Sequence, residues 1–357
     1  MSQTLKSFER HVDEQDVAQV SATRIKHSKK RAVIITIMAL IVIALFCASL
    51  MIGRNFYTPG EVIRVILGED VPGASFTVGT LRLPRAVLAM LAGMCFGLGG
   101  VTFQTMLRNP LASPDIIGIS SGASAAAAVG IIMFSLNGSA VFVLAISAAL
   151  LVAAAIYLLS RTRAGGGAGT RLILVGIGVA AMLDSVISYV LSTAGQWDLQ
   201  EASRWLTGSL NGSNWADVRP VIIALIIFGP VLLSQSWNLN ALQRGEETAA
   251  ALGARPERTR AIVIITAVGL IAFATAASGP IAFVAFLSGP IAARIIGVGK
   301  SMLVPAALVG AILVLAADLV GQYALGTRFP VGVVTGVLGA PYLLYLIIRS
   351  NRTGGSL

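Results

Sequence analysis

The sequence predicts an all-α membrane protein of about ten transmembrane helices with both termini cytoplasmic, and three observations carry that prediction. Only 12% of its 357 residues are charged and 56% are hydrophobic, whereas a soluble domain carries roughly 25% charged residues. Apolar runs near the roughly 20 residues that a span needs recur from Ala32–Ile52 to Val331–Ile348. Finally, a ten-span partition places nineteen of the 26 Lys and Arg residues on the side of the termini and seven on the other, which is the positive-inside sense.

Taken in order, residues 1–31 form a polar tail that closes on Lys26, Lys29, Lys30 and Arg31. It is expected to be cytoplasmic, disordered at first and then an amphipathic lead-in. Ten spans follow within a transmembrane domain over 32–348: 32–52, 84–106, 116–134, 140–160, 171–194, 219–235, 259–277, 281–297, 304–321 and 330–348. The external segment 53–83 holds a short helix opened by Thr58-Pro59, with Glu61 in its first turn. Pro110 and Pro114 end one helix and start the next across a tight cytoplasmic turn, and Asp115 suits the positive end of the following helix. Gly93 and Gly97, four apart in the second span, allow close helix packing in lipid. Cytoplasmic residues 236–258 read as two short helices around Gly245 and Gly253. Spans seven and eight are separated only by Ser278-Gly279-Pro280, a break tolerated at membrane depth only where protein or a cavity covers it. Residues 349–357 form a short cytoplasmic tail.

Several function classes drop out. The net charge of +10 sits in loops and sets topology; no basic segment alternates with aromatics as a nucleic-acid groove would require. Gly297-Val298-Gly299-Lys300-Ser301 ends like a phosphate-binding loop, but Arg294 stands where the first glycine is required and no buried strand precedes it. Gly176–Ala181 mimics a dinucleotide fingerprint inside an apolar span. Both are packing glycines, so the chain is expected to bind no ATP or other cofactor itself. His11 and His27 lie in the polar tail, Cys47 and Cys95 lie in separate spans, and no metal-ligand spacing exists.

The ionisable groups that remain are few. Asp184, deep in the fifth span, is a candidate for a translocation path, since intramembrane carboxylates tend to face cavities. Asp318 stands near a span end, either as an interhelical hydrogen-bonding group or as a functional one. Arg82 and Arg85 flank the start of the second span, either as interfacial anchors or as a docking pair for acidic groups on a partner.

Six ordered motifs add a resemblance. They are Arg82-Leu83-Pro84-Arg85; Gln104…Arg108-Asn109-Pro110-Leu111-Ala112-Ser113-Pro114-Asp115; Trp205–Leu210; Gly245-Glu246-Glu247-Thr248-Ala249…Leu252-Gly253; Gly279–Val284 with Ala317-Asp318-Leu319; and Pro330–Thr335. Together they resemble the iron-siderophore and cobalamin permease family of type II ABC importers over nearly all the chain after the tail. Arg171–Gly178 and Gly208–Trp215 resemble the second permease subunit of ferric-enterobactin-type systems.

The resemblance implies the type II importer permease fold in the inner (plasma) membrane, and import of an iron(III)–siderophore, of the catecholate type on the branch features. Cobalamin or haem is the alternative cargo. An ion-coupled secondary transporter fits less well, because it would need more intramembrane ionisable groups. The implied partners are a second permease subunit, in a heterodimer or a homodimer, two copies of an ATPase that uses ATP and Mg, and an extracytoplasmic binding protein. By the same resemblance Arg82 and Arg85 meet the binding protein, Asn109, Pro110 and Leu111 form a cytoplasmic gate, and Gly245, Glu246, Glu247, Thr248, Leu252 and Gly253 couple to the ATPase. No enzymatic step is expected of this chain. The sequence departs from the family at Pro290-Ile291, where Pro-His is usual, at Gln322, where an arginine is usual, and at Arg328-Phe329, where a glutamate is usual. Arg328 is therefore expected to replace the missing docking arginine.

Overall fold

The structure is a computed structural model that describes residues 14–115, 118–160, 168–297 and 301–352. The start of the predicted tail with His11, residues 353–357, and residues 298–300 of the phosphate-loop look-alike lie outside the described residues. Helices dominate the described residues and no strand occurs among them. In chain order they are α1 (Glu14–Met51), α2 (Pro59–Ile66), a π-helical stretch (Ser75–Arg82) that runs into α3 (Leu83–Leu107), α4 (Ile119–Phe134), α5 (Gly138–Ser160), α6 (Ala168–Ser192), α7 (Gln196–Leu206), α8 (Trp215–Ser234), α9 (Ser236–Gln243), α10 (Glu246–Ala251), α11 (Pro256–Ser278), α12 (Val284–Ile296), α13 (Leu303–Tyr323) and α14 (Val331–Arg352).

Each of the ten predicted spans coincides with a helix. Eight helices are long and apolar enough to cross a bilayer. The other two, α4 and α12, have 16 and 13 residues, or about 24 and 20 Å at 1.5 Å per residue. That is shorter than the roughly 30 Å hydrocarbon core, and α12 is preceded by the irregular stretch 279–283. Two features differ from expectation. The lead-in and the first span are one helix, because neither Gly nor Pro interrupts residues 14–51. The external stretch before α8, for which the sequence suggested no element, contains the 11-residue α7. The external helix α2 starts where predicted: the Thr58 N–H donates to Glu61 Oε2 at 2.7 Å and the Glu61 N–H donates to Thr58 Oγ1 at 3.4 Å, a reciprocal capping box. These bonds hold the Glu61 carboxyl below its usual range.

At the centre stands α3, buried along most of its length and packed by α13, α11 and α12. The reason is side-chain size. A Cβ at Gly93 would run into the Gly310 carbonyl, one at Gly97 into the Ala306 carbonyl, and one at Gly100 into Ala285. Without a hydrophobic force between helices in lipid, this backbone approach supplies the van der Waals contact that holds the bundle. At the other extreme, α6 turns most of its apolar surface outward.

Gly310→Val should therefore wedge α13 off α3, an overpacking cost of about 1–3 kcal/mol or more. A thermal-shift measurement on purified protein should show a clearly lower Tm, whereas Gly60→Ala, in open space, should leave it unchanged.

Candidate functional site: a cavity beside an interrupted span

The break between α11 and α12 is covered by protein, as its position demands. Residues 279–283 carry no helical ladder; the turn after α7 bonds to the end of α11 beside them, and the start of α14 bonds to that turn. The Ser209 N–H donates to the Ser278 carbonyl at 2.8 Å, and the Gly332 N–H donates to the Gly208 carbonyl at 3.1 Å. Thus the turn after α7 lies between the broken span and the start of α14. Gly208 (φ 72°) and Gly279 (φ 69°) touch there, an approach and a backbone sign that favour glycine at both. Phe283 caps α12 with φ 64°, a left-handed conformation that costs a residue with a Cβ roughly 1–2 kcal/mol. Its ring is held edge-on to Phe286, with centroids 6.3 Å apart, and rests on Gly339 of α14.

Against this break lies a cavity of about 550 Å³, within the 300–1,000 Å³ of ordinary ligand pockets. One wall is Pro280–Phe283 with Phe286. The lining also includes Ser120, Ser121 and Ser124 of α4, Ser113 and Asp115 from the turn before it, Asp184 and Ile187 of α6, and Leu206 and Leu343. Asp184 is exposed in this single chain. Asp115 accepts from Ser120 Oγ at 2.7 Å and from Ser113 Oγ at 3.3 Å. Burial holds its carboxyl pKa above the usual carboxylate range, an effect that the two hydroxyls only partly offset. The lining thus combines hydroxyls and carboxyls with two phenylalanine rings in a largely apolar surface, and includes no cation among the described lining residues.

At the cytoplasmic end, Arg108 (φ 51°) closes α3 in the left-handed region, and the Asn109 N–H returns to the Gln104 carbonyl at 3.1 Å. Asn109 Oδ1 accepts from the Leu111 N–H at 2.9 Å, locking the turn that Pro110 begins. Leu111 packs beside Phe283 and Phe286, so this turn and the floor of the cavity share one apolar cluster. Further out, Gly245 (φ 120°) and Gly253 (φ 85°) bracket α10 rather than each centring a helix. Ala249 faces a small core with Ala241, Leu242 and Ala254, while Glu246, Glu247, Thr248 and Leu252 are exposed. Glu246 also pairs with Arg260 of α11.

At the extracytoplasmic end the arginines have occupations inside the chain. Arg82 donates to the Leu50 and Met51 carbonyls at 2.8 and 3.0 Å and to the Asn55 carbonyl at 2.8 Å, satisfying groups left open where α1 ends. Its guanidinium also lies 5.0 Å from the Tyr57 ring centroid. Arg85 turns inward and grips Asp318 with two nitrogens, at 3.0 and 2.7 Å. Its third nitrogen donates to Asn211, and Gln322 Nε2 donates to Asp318 at 2.7 Å. Asp318 is 3% exposed, so this is an interhelical clamp between α3, α13 and the turn after α7. Arg328 and Arg54 are exposed and have no intramolecular partner among the described residues. The sequence reading missed Asn211 and the serine row; the spacing of Ser120 and Ser124, one helical turn apart, was the available signal.

Comparison with known proteins gives the family. The pattern of the FecCD transport family matches residues 40–349. The chain is 36% identical over 296 residues to the ferric enterobactin transport system permease protein FepG of Escherichia coli K12, covering 82% of this chain and 88% of that protein. It is 36% identical to the Fe(3+)-citrate import system permease protein YfmE of Bacillus subtilis, covering 90% and 96%. It is 34% identical to the cobalamin import system permease protein BtuC of Halobacterium salinarum, covering 77% and 74%. Among solved structures, an inward-facing metal-chelate type ABC transporter superposes with a TM-score of 0.79 at 28% identity, covering 88% of this chain and 99% of that one. An all-helical bundle whose predicted spans are all present, a cavity at an interrupted span, and these matches place the chain in the FecCD transport family, as a multi-pass membrane permease of the siderophore- and cobalamin-type ABC importers.

Proposed function

We propose that this chain forms half of the path for an iron(III)–siderophore of the catecholate type, together with a second, different permease subunit. The cavity beside the 279–283 break is the observation that carries this reading. Such a complex is too large and polar to enter lipid, and a lining of hydroxyls and aromatic rings offers it hydrogen bonds and flat apolar contact. Catecholate cargo is supported by the similarity to FepG. A heteromeric pair is supported by the similarity to FepD of the same bacterium, at 32% identity over 91% of this chain. Cobalamin is the second reading, supported by the archaeal cobalamin permease. Asn109, Pro110 and Leu111 would close the cavity at its cytoplasmic floor.

The chain would supply no cofactor and no covalent chemistry; two copies of a separate ATPase would use ATP and Mg. The exposed face of α10, with Glu246, Glu247, Thr248 and Leu252, is the candidate contact for them. The Glu246–Arg260 pair would pass its displacement to α11, whose far end is the interrupted span. Outside, a binding protein would deliver cargo to the rim. Because Arg82 and Arg85 are engaged within the chain, Arg328 and its exposed neighbour in charge, Arg54, are the available cations for acidic groups on that partner, where opposite charge speeds encounter and fixes register.

Proteoliposomes holding both permeases and the ATPase, given loaded binding protein outside and ATP inside, should accumulate labelled ferric catecholate and not labelled cobalamin; the reverse preference would reassign the cargo. In the same vesicles Glu246→Lys should leave ATP hydrolysis measurable while uptake falls about tenfold or more, and undiminished uptake would remove α10 from the coupling path. Arg328→Glu should weaken capture of the binding protein, seen as a several-fold higher half-saturating concentration that grows smaller with added salt. An unchanged value would remove Arg328 from the docking surface.

A further inference from the structure

We propose that the cytoplasmic end of α1 is a binding site for anionic phospholipid headgroups, formed by Lys26, Lys29 and Lys30. The helix has two faces. Arg31, Met38, Val42 and Leu50 point into the bundle, and Arg31 donates to the Ser301 carbonyl at the start of α13. On the other face Val33, Ile37, Leu40 and Ile41 are 57%, 50%, 58% and 42% exposed, an apolar stripe that the described residues leave uncovered. At 3.6 residues per turn, Lys26, Lys29 and Lys30 continue that outward stripe, and all three are exposed. The same surface thus passes from apolar to cationic without a break in the helix.

Depth decides what such a surface meets. The helical stretch Ser21–Met51 has 31 residues, or about 46 Å, and exceeds a hydrocarbon core of roughly 30 Å. With the core boundary near Ala32, Lys26 lies about 9 Å beyond it at 1.5 Å per residue, within or beside the headgroup layer. Lysine stems can lie along acyl chains while their ammonium groups reach phosphates. Each lysine beside an anionic surface contributes roughly a fivefold gain in affinity. Lipids that coat the apolar stripe therefore present their headgroups to these three cations. Charge complementarity and continuity with the apolar stripe select a lipid over a soluble anion, which would need no stripe.

The test uses the assembled transporter in nanodiscs of equal phosphatidylglycerol and phosphatidylcholine, with native mass spectrometry of the lipids retained as detergent is added. Lys26→Gln/Lys29→Gln/Lys30→Gln should lower the retained phosphatidylglycerol-to-phosphatidylcholine ratio at least fivefold. The triple Arg variant and the control Arg255→Gln/Arg258→Gln should keep it. An unchanged ratio in the triple Gln variant, or an equal fall in the control, would overturn the proposal. So would displacement of the retained lipid by inorganic phosphate alone, which would mark a soluble-anion site. Loss of the second permease subunit from the triple Gln variant would overturn it too, by making the stripe a protein interface.

Discussion

Inside the hydrocarbon of a bilayer no water reaches a backbone N–H or carbonyl, so an irregular stretch of chain must be covered by protein or line a cavity. That constraint organises this molecule. A continuous span would need no help, but α11 stops at Ser278 and α12 starts only at Val284. The chain answers with the turn after α7, which bonds to the end of α11 and is itself bonded by the start of α14. Those covering elements stand beside α4 and α6, and the space between them is the cavity. The helix interruption, its cover and the cavity thus lie together.

The charged residues obey a related economy. Burying an ion pair in a bundle is favourable only when hydrogen bonds complete both partners, and Asp318 meets that condition with Arg85 and Gln322, while Asn211 takes the remaining arm of the guanidinium. The clamp joins α3, α13 and the turn after α7, so it ties the closely packed centre of the bundle to the cover over the break. Arg82, three residues earlier, serves the end of α1 instead. Charges near the extracytoplasmic rim therefore divide into those that hold helices together and those, such as Arg328, that are exposed without an intramolecular partner among the described residues.

Most of the fold was legible in the sequence because spans are written in composition: twenty apolar residues bounded by polar loops admit few readings. The break was legible in part, since Ser278-Gly279-Pro280 interrupts an apolar stretch; Gly229-Pro230 and Gly289-Pro290 stay within α8 and α12, so the dipeptide alone does not fix where a helix stops. Thr58 and Glu61 announced α2 by a local rule. What composition could not give was direction and long-range pairing. Arg85 and Asp318 lie 233 positions apart, and nothing local says that Arg85 turns inward while Arg328 stays free. The hydroxyls of the lining were hidden because serine in a membrane helix also serves plain close packing; only the cavity shows that Ser120, Ser121 and Ser124 face space. Helix α7 was missed because it is polar and lies outside the spans, where no apolar run marks it.

The central claim is that the cavity beside the interrupted span is the path of the cargo. It is tested most directly by a single cysteine at Ser121, in a chain whose Cys47 and Cys95 are replaced by alanine, within the assembled transporter. A membrane-impermeant maleimide should label Ser121→Cys, and bound ferric siderophore should slow that labelling several-fold. Labelling at the same rate with and without cargo, while uptake proceeds normally, would contradict the account.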